Sequence, residues 1–417
     1  MDKVLFISYF WPPSGKASLH WPLFVMNNLR KFGWQPSVLT ADGDTFSHTD
    51  ESLLKFVDPS MTVVKTAANE PFNLYRNFLG KKSNAPLVAS ETISSTNSDW
   101  KHKLSIWIRM NLFVPDARIG WYFSAVKGGR ELINKERPNA IISIGPPHSS
   151  HLIGKRLSRQ FGVPHIPVLI DPWVDIVYYK GFTRNPLTLM LDNYFERSTF
   201  RNAEKIIFVT KSSREDYQKK YPWIAQKSHV LYWGYNEENF TVQKQPSEIE
   251  TVLHAGNIFD YQNPEGLWRN IRSEIDNGRK MRVRFVGTVS PEIKRSISRA
   301  GLDEFTDYLG FLPYQQVVQE MMNASFLLVC ATEKRHVPGK LFEYLRTGNR
   351  IIAYGDDNKE VGDILAGSKA GVLFPYKDDG KDIFARLQSF NPDAETAKVY
   401  SRENIARQLA ELLKSTV

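Results

Sequence analysis

The fold of this chain is decided by residues 4–40, which read VLFISYFWPPSGKASLHWPLFVMNNLRKFGWQPSVLT. The apolar run Val4–Ser8 predicts a buried strand, and apolar side chains then recur at helical spacing from Leu19 to Leu29. Residues Pro36–Thr40 predict a second strand. A strand, a helix and a strand in this order form a βαβ unit, so we expect a parallel sheet covered by helices.

The same alternation continues along the rest of the chain. Short apolar and β-branched runs predict further strands at Met61–Lys65, Ala140–Ile144, His165–Ile170, Lys205–Val209, Thr251–His254, Arg282–Val286, Thr306–Leu309, Phe326–Val329 and Arg350–Ala353. A helical pattern ends near residues 195–205, and a second alternating series follows. We therefore predict an α/β fold with two doubly wound, Rossmann-like domains, residues 1–200 and 201–398, and a cleft between them as the binding site.

The composition excludes several classes of protein. With 417 residues, 42% apolar and 24% charged, the chain is neither collagenous, nor disordered, nor a disulfide-rich secreted module. The single cysteine, Cys330, cannot form an intrachain disulfide. No signal peptide and no run of about 18 apolar residues is visible. We expect a cytoplasmic protein that is soluble or peripherally bound to a membrane.

The charge balance and one segment bear on partners. Lys and Arg number 54 against 45 Asp and Glu, which gives a net charge of +9. This positive charge suits phosphates, anionic lipid or nucleic acid as partners, or it is a solvated surface excess.

Residues 81–99 are rich in Ser, Thr and Asn and predict a loop. Residues 100–110 mix basic and bulky apolar side chains. They predict either an amphipathic helix on a membrane surface or a helix that packs Leu104, Trp107 and Ile108 on the core.

Three loops that follow predicted strands of the first half carry candidate binding residues. Gly15 and Lys16 precede a helix, where backbone N–H groups and an ammonium can meet an anion; the alternative is a structural turn. His148 lies on a turn with two prolines and can exchange hydrogen bonds at neutral pH, or is structural. Asp171 can accept from a sugar hydroxyl or orient a side chain, or it caps a helix that begins at Pro172.

The most informative motif of the second half is HVPGKLFEYL, residues 336–345. Gly339 follows a proline, and the pair predicts a helix that starts near Lys340. Lys340 and the helix N-terminus together suit a phosphate. Glu343 lies about one turn further, where a carboxylate can accept from both hydroxyls of a ribose. The alternative is that Lys340 and Glu343 form a surface pair three residues apart.

Other signatures are missing from the sequence. No Cys/His cluster has the spacing of a zinc site, so no metal is predicted. No Gly-x-Ser-x-Gly elbow and no Gly-x-Gly-x-x-Gly after a strand is present. Basic residues are dispersed without interleaved aromatics, which argues against nucleic acid as a partner.

Taken together, the motifs resemble the GT-B glycosyltransferases of the family-4 type, over nearly the whole chain. In the first half the resemblance is carried by YFWPP (9–13), VPD (114–116), GPPHSSH (145–151) and DPW (171–173). In the second half it is carried by GYN (234–236), HAGNI (254–258), FVG (285–287), LGFLP (309–313) and PGKLFEYL (338–345). Their order and spacing across two domains make the resemblance specific.

The resemblance implies two facing Rossmann-like domains, an acceptor-binding first domain and a donor-binding second domain, with a last helix in residues 399–417 that crosses back to the first. It implies transfer of a hexosyl or N-acetylhexosaminyl group from a UDP- or GDP-linked sugar, with retention and without a metal or other cofactor. The acceptor would be a glycan or a lipid-linked molecule in bacterial surface polysaccharide synthesis, with the enzyme on the inner face of the membrane.

The same resemblance assigns roles to residues. Glu343 would bind the ribose, Gly256 and Asn257 would lie near the diphosphate with Lys340 as its cation, and the backbone at Phe311 and Leu312 would meet the base. Gly15 would approach donor phosphate and acceptor, and His148 would touch the transferred sugar.

Two departures from the family pattern change what is expected. The loop after the first strand of the second domain, residues 256–264, lacks the Arg and Lys of many relatives, so Lys340, Arg335 or Lys16 must meet the diphosphate. Arg335 also stands where relatives carry a second Glu. A nucleotide-sugar epimerase of the same fold, or a catalytically silent binding scaffold, are the alternative functions.

Overall fold

The computed structural model describes residues 1–43, 46, 49–68, 107–108, 110–175, 184–245 and 247–416. The chain divides into two compact units. The first comprises residues 1–209, 213–232 and 405–417, and the second comprises residues 210–212 and 233–404.

The first unit is built on a seven-stranded, fully parallel sheet in the order β3-β2-β1-β4-β5-β6-β7. Its strands are β1 Asp2–Ile7, β2 Trp34–Ala41, β3 Thr62–Thr66, β4 Ala140–Gly145, β5 His165–Leu169, β6 Ile206–Phe208 and β7 Ser228–Val230. The helices between them are α1 His20–Leu29, α2 Tyr122–Glu136, α3 Ser149–Phe161, α4 Pro186–Asn202 and α5 Lys211–Lys220. The order reverses between β1 and β4, as in a doubly wound sheet.

The second unit carries a six-stranded parallel sheet in the order β10-β9-β8-β11-β12-β13. Its strands are β8 Glu250–Ala255, β9 Met281–Val286, β10 Thr306–Tyr308, β11 Phe326–Cys330, β12 Arg350–Tyr354 and β13 Gly371–Phe374. The helices are α6 Glu265–Asp276, α7 Pro291–Arg299, α8 Tyr314–Asn323, α9 Lys340–Thr347, α10 Lys359–Gly367 and α11 Ile383–Gln388. Here the order reverses between β8 and β11. The last helix, α12 Arg402–Lys414, belongs to the first unit from residue 405 onward.

Burial explains why these segments are strands. Residues 4–7 of β1 and 327–329 of β11 have no exposed surface, because helices cover both faces of each sheet. The predicted α/β class with two doubly wound sheets is confirmed, and α9 begins at Lys340 as expected. Cys330 ends β11 and is buried, and burial raises the pKa of its thiol to about 12.

Two strands were not predicted, and the division of the chain lies later than expected. Strand β7 is only three residues long, and two of them are Ser228 and His229. Strand β13 begins with Gly371, a residue depleted in strands. Because β6 and β7 extend the first sheet, that unit continues to residue 232 rather than 200.

The last helix lies in the first unit, and part of the segment before residue 110 is described. From residue 405 onward α12 groups with the first unit, and the Lys205 ammonium donates to the carbonyl of Leu412 at 3.0 Å. The predicted loop 81–99 and Leu104 lie outside the described residues. Trp107 is 46% exposed, so this side chain is not packed into the core. No helix in the described part of the chain has the length and apolar character that crossing a bilayer requires.

Candidate functional site

Most of the predicted site residues lie at the carboxyl edges of the two sheets, beside the point where each strand order reverses; Asp171 follows β5, and Phe311 and Leu312 follow the edge strand β10. In the first unit Gly15 and Lys16 follow β1, and His148 follows β4. In the second unit Gly256 follows β8, and Lys340 comes after β11. Loops diverge at such switch points and leave a crevice, which is where ligands of doubly wound sheets bind.

The loop after β1 is an ordered turn. The Ser14 N–H donates to the carbonyl of Trp11 at 2.9 Å, and the Lys16 N–H donates to the Ser14 hydroxyl at 3.4 Å. A 3-10 turn, Ala17–Leu19, separates this loop from α1. The Lys16 N–H therefore already has a partner, and the anion role of Gly15 and Lys16 stays a prediction.

His148 occupies the N-cap position of α3 and is held rigidly. Its ring stacks on Trp173, with centroids 5.0 Å apart and planes inclined by 7°. A Cβ placed on Gly145 would lie 2.7 Å from its Nδ1 atom. Burial lowers the pKa of His148 to about 3, so the imidazole is neutral at pH 7. A neutral ring offers one donor and one acceptor to a hydroxyl; its contact with a sugar stays a prediction.

Asp171 does not cap a helix, and that alternative is wrong. Residues 171–175 form bends and turns after β5, and no helix begins at Pro172. The carboxylate that caps α3 is instead Asp116, which accepts from the Ser149 N–H and hydroxyl, both at 2.8 Å. Asp116 lies in the VPD motif, and its contact with Ser149, 33 positions further along the chain, is not visible in the sequence.

In the second unit, backbone approaches backbone at the carboxyl edge. Gly256 has φ +107° and Gly287 has φ +105°, and a Cβ on Gly287 would lie 2.8 Å from the Gly256 carbonyl group. The Gly287 N–H donates to the Gly310 carbonyl at 2.6 Å. The ends of β8, β9 and β10 thus meet through three glycines. This leaves a surface without side chains, as close approach of a phosphate requires.

Lys340 reaches over this glycine surface. A Cβ on Gly256 would lie 2.9 Å from the Lys340 Nζ atom, so the structure brings these two predicted residues together. Nζ also lies 3.1 Å from Nε2 of His254, whose Nδ1 is 3.1 Å from the Leu328 carbonyl. Because a carbonyl only accepts, Nδ1 carries the proton and Nε2 accepts from Lys340.

Burial shifts the pKa values of both residues downward. Burial lowers the pKa of Lys340 to about 8. Burial, together with the Lys340 charge, holds the pKa of His254 well below its usual value. The site therefore holds one cation, on Lys340, that is not neutralised by an acid within 4 Å among the described residues.

Glu343 faces the same side of α9 and has a partner that the sequence did not reveal. Its Oε1 atom accepts from the Tyr314 hydroxyl at 2.5 Å. Burial raises the pKa of Glu343, while Tyr314, Arg402 and Lys340 oppose that rise. No ion pair joins Lys340 to Glu343 among the described contacts, so the predicted surface pair is wrong. The second carboxylate oxygen remains available to hydroxyl donors.

The start of α9 is anchored on both sides. A Cβ on Gly339 would lie 2.8 Å from the Trp233 ring, so only glycine fits there. The Tyr344 hydroxyl accepts from the Ala255 N–H at 2.8 Å and ties α9 to β8. The Nε atom of Arg335 lies 3.5 Å from Oε1 of Glu333. The Arg335 side chain is largely buried, and the carboxylate of Glu333 partly compensates its charge. Lys340 is consequently the stronger candidate for the diphosphate.

The residues expected around the base and the diphosphate are accessible. Phe311 is 81% exposed. The backbone groups of Phe311 and Leu312 form no backbone hydrogen bond with the described residues, and their contact with a base stays a prediction. The Asn257 side-chain oxygen accepts from the Thr288 N–H at 3.1 Å, which orients the loop. Across the described ranges no three His, Cys, Asp or Glu side chains gather as a metal would need; that the reaction is metal-free stays a prediction.

Solved structures share this fold. Sucrose-phosphate synthase (tll1590) from Thermosynechococcus elongatus matches with a TM-score of 0.63 and 14% identity, covering 100% of this chain and 99% of that one. Anabaena Alr3699/HepE in complex with UDP matches with a TM-score of 0.64 and 13% identity, covering 99% and 100%. The lipopolysaccharide outer core galactosyltransferase WaaB, in its apo form, matches with a TM-score of 0.60 and 13% identity, covering 100% of both chains.

These likenesses confirm the predicted GT-B fold, since they extend over both Rossmann-like units. At identities of 13–14% the likeness is one of fold. No family profile matches the sequence, and no curated protein matches it.

Proposed function

We propose that this protein is a glycosyltransferase of the family-4 type, which transfers a sugar from a nucleotide-diphosphate sugar to an acceptor with retention at the anomeric carbon. The observation that carries the proposal is the arrangement at the end of β8. There the ammonium of Lys340 lies over the bare backbone of Gly256, and the Glu343 carboxylate follows one turn along α9. An ammonium suits the diphosphate of a nucleoside diphosphate, and a carboxylate suits the hydroxyls of its ribose.

The proposed reaction breaks the bond between the anomeric carbon and the diphosphate oxygen. Positive charge grows on the sugar and negative charge on the departing diphosphate. Lys340 stabilises that negative charge, and the hydrogen bond to His254 holds its Nζ atom in place. The acceptor hydroxyl attacks from the same face and passes its proton to the leaving phosphate, so no side chain needs to act as base.

The proposed donor and acceptor classes rest on the family resemblance. We propose a UDP- or GDP-linked hexose or N-acetylhexosamine as donor. A solved relative in fold binds UDP, which supports a uridine nucleotide. We propose a glycan or a lipid-linked acceptor in surface polysaccharide synthesis, with the enzyme cytoplasmic and peripheral to the membrane. Arg335, Gly15, Lys16, Asp171 and His148 are further proposed contacts to donor or acceptor.

The proposal is tested first by donor binding. A panel of UDP-, GDP-, ADP- and dTDP-sugars is screened by thermal unfolding, because a ligand that binds only the folded state stabilises it by mass action. We expect one nucleotide class to raise the melting temperature. A flat response to the whole panel at millimolar concentration would contradict the proposal.

Activity of variants then tests the assigned residues. Lys340→Ala should lower turnover by roughly 10²–10³-fold, the scale of one lost electrostatic contact to a developing charge. Lys280→Ala, which removes a 69% exposed side chain of the same unit, is the matched control and should change nothing. Transfer by Lys340→Ala at the wild-type rate would remove Lys340 from the mechanism.

Glu343→Ala should weaken nucleotide binding in calorimetry, with Glu248→Ala (87% exposed) as its control. Equal affinity of Glu343→Ala and wild type would refute the ribose assignment. An epimerised nucleotide-sugar formed from the donor alone, without any acceptor, would identify an epimerase instead. Binding without turnover under every acceptor would identify a silent scaffold.

A further inference from the structure

A groove on the first unit is lined by none of the predicted site residues. Its volume is about 410 Å³, in the range of small-molecule pockets. Ile119, Tyr122, Leu152 and Phe195 form its apolar wall. These side chains come from α2, α3, α4 and the turn before α2, and they continue the buried core to the surface. Phe123 stands at its edge with 82% of its surface exposed.

Three cations of α3 line the same groove: Lys155, Arg156 and Arg159. Lys155 donates to the Ser198 hydroxyl. Arg156 and Arg159 are exposed, and the described part of the chain offers neither of them an acidic partner. By contrast, Arg282 and Arg284 of the second unit both pair with Asp307. The positive charge beside the groove is therefore available to an external anion.

An exposed apolar stripe on α4 adjoins this groove. Leu187, Met190, Leu191 and Tyr194 are 39–62% exposed and recur at helical spacing. Phe195, the next residue, lines the groove, and its ring centroid lies 5.9 Å from that of Tyr194. A stripe of this kind on a helix of a soluble unit marks a contact surface. We call the groove, its three cations and the stripe the α3–α4 face.

We propose that the α3–α4 face docks on a membrane that contains anionic phospholipid. The headgroup phosphates pair with Arg156 and Arg159, while Phe123 and the stripe enter the interface between headgroups and acyl chains. An apolar surface rimmed by unpaired cations is the pattern of interfacial binding, which needs both signals. The groove wall is hydrocarbon and has few hydrogen-bonding groups, which does not suit a soluble sugar. This inference rests on the membrane part of the proposed function and does not involve the donor site.

The test is co-sedimentation of the full chain with vesicles of phosphatidylcholine alone, or with 30% phosphatidylglycerol added. We expect binding to the anionic vesicles, and loss of most binding in high salt. Arg156→Gln/Arg159→Gln should weaken that binding about 20- to 30-fold, the scale of two lost lipid-facing charges. Phe123→Ser should weaken it as well, because an exposed residue is removed from the interface without disturbing the core.

The matched control is Lys280→Gln/Lys381→Gln, which removes the same charge from exposed positions of the second unit. It should bind vesicles as the wild type does, and an equal loss would show that only net charge matters. Equal binding to both vesicle types would overturn the proposal. Stabilisation by pyrophosphate that depends on Arg156, without vesicle binding, would assign the cations to a soluble phosphate instead.

Two further measurements separate this inference from the proposed function. Lys340→Ala should still bind vesicles, and Arg156→Gln/Arg159→Gln should still bind nucleotide. Vesicle binding without any nucleotide binding would support the membrane surface and contradict the transferase proposal. Nucleotide binding without any vesicle binding would support the transferase proposal and contradict the membrane surface.

Discussion

Lys340 donates to an uncharged histidine, and this pairing determines which protons move when a phosphate arrives. His254 presents its bare Nε2 atom because its Nδ1 proton is held by the Leu328 carbonyl. An anion over Gly256 would bind the remaining N–H groups of the ammonium and raise the pKa of Lys340 from about 8. If the donor binds here as proposed, its binding is linked to the protonation of Lys340.

The sign of this linkage gives a prediction for donor affinity between pH 7 and 9. Below the pKa of about 8 both the free and the bound protein carry the Lys340 proton, so affinity should be flat. Above it the free protein loses the proton and must take it up on binding. Affinity should then fall, by up to about tenfold per pH unit. Calorimetric titration with the nucleotide-sugar measures this.

Lys340→Arg is the control for that experiment, since a guanidinium stays charged throughout the range. Whatever its absolute affinity, it should show no break near pH 8. A wild-type affinity that stays constant to pH 9 would mean that Lys340 does not meet the donor's charge.

His254 is predicted to be a positioning residue for Lys340. His254→Leu removes the acceptor, so the ammonium loses a charge-assisted hydrogen bond of about 1.5–3 kcal/mol. We expect turnover to fall roughly tenfold or more, and the break in the pH profile to move below its wild-type position.

His254→Gln should restore much of the turnover and return the pH break toward its wild-type position, because an amide can accept from Lys340 and donate to the Leu328 carbonyl. A merely structural role would lower the melting temperature of His254→Leu without moving the pH break.

At the scale of elements, the ends of β8 and β9 meet closely at the proposed phosphate site. Gly287→Ala places a Cβ 2.8 Å from the Gly256 carbonyl group at a φ of +105°. We expect a loss of about 1–3 kcal/mol in the free energy of unfolding. Donor affinity should fall as well, since Gly256 must shift. Denaturant unfolding and calorimetry measure the two effects.

Gly278→Ala is the matched variant for this prediction. Gly278 has a φ of +89°, but a Cβ there meets nothing within 4 Å. It precedes β9 at the opposite end of the strand from Gly287. It should cost some stability through backbone strain and leave donor affinity unchanged. Equal donor affinity in both variants would show that the glycine surface does not bind phosphate.

At the scale of the whole molecule, the end of the chain completes the first unit. Ile405, Leu409 and Leu413 of α12 are at most 2% exposed and group with that unit. We predict that Leu409→Ala lowers the free energy of unfolding by about 2–5 kcal/mol, the cost of a cavity in a packed core. Glu411→Ala loses only an exposed pair with Arg407 and should cost less than about 1 kcal/mol. Similar losses in both would place α12 outside the core.

Many of the strands and helices can be predicted from short stretches of the sequence. Continuous apolar runs identified β1, β4 and β11, because strands buried on both faces tolerate few polar residues. Pro338 and Gly339 predicted that α9 starts at Lys340. This signal is visible in the sequence because each of the two residues restricts only the backbone next to it. The short strands β7 and β13 were not predicted, because three or four residues that include Ser, His or Gly do not form a continuous apolar run.

What only the tertiary structure decided is which residues meet. His254 and Lys340 are 86 residues apart, and Tyr314 and Glu343 are 29 apart. These pairs come together because the strand order reverses beside β8 and brings separate loops to one edge. The same holds for Arg156 and Arg159, whose lack of an acidic partner is a property of packing among described helices and not of their own segment. Periodicity and burial are local, so the sequence alone determined the elements. Pairing across the sheet is not local, so the protonation of the donor site and the charged α3–α4 face depended on the folded chain.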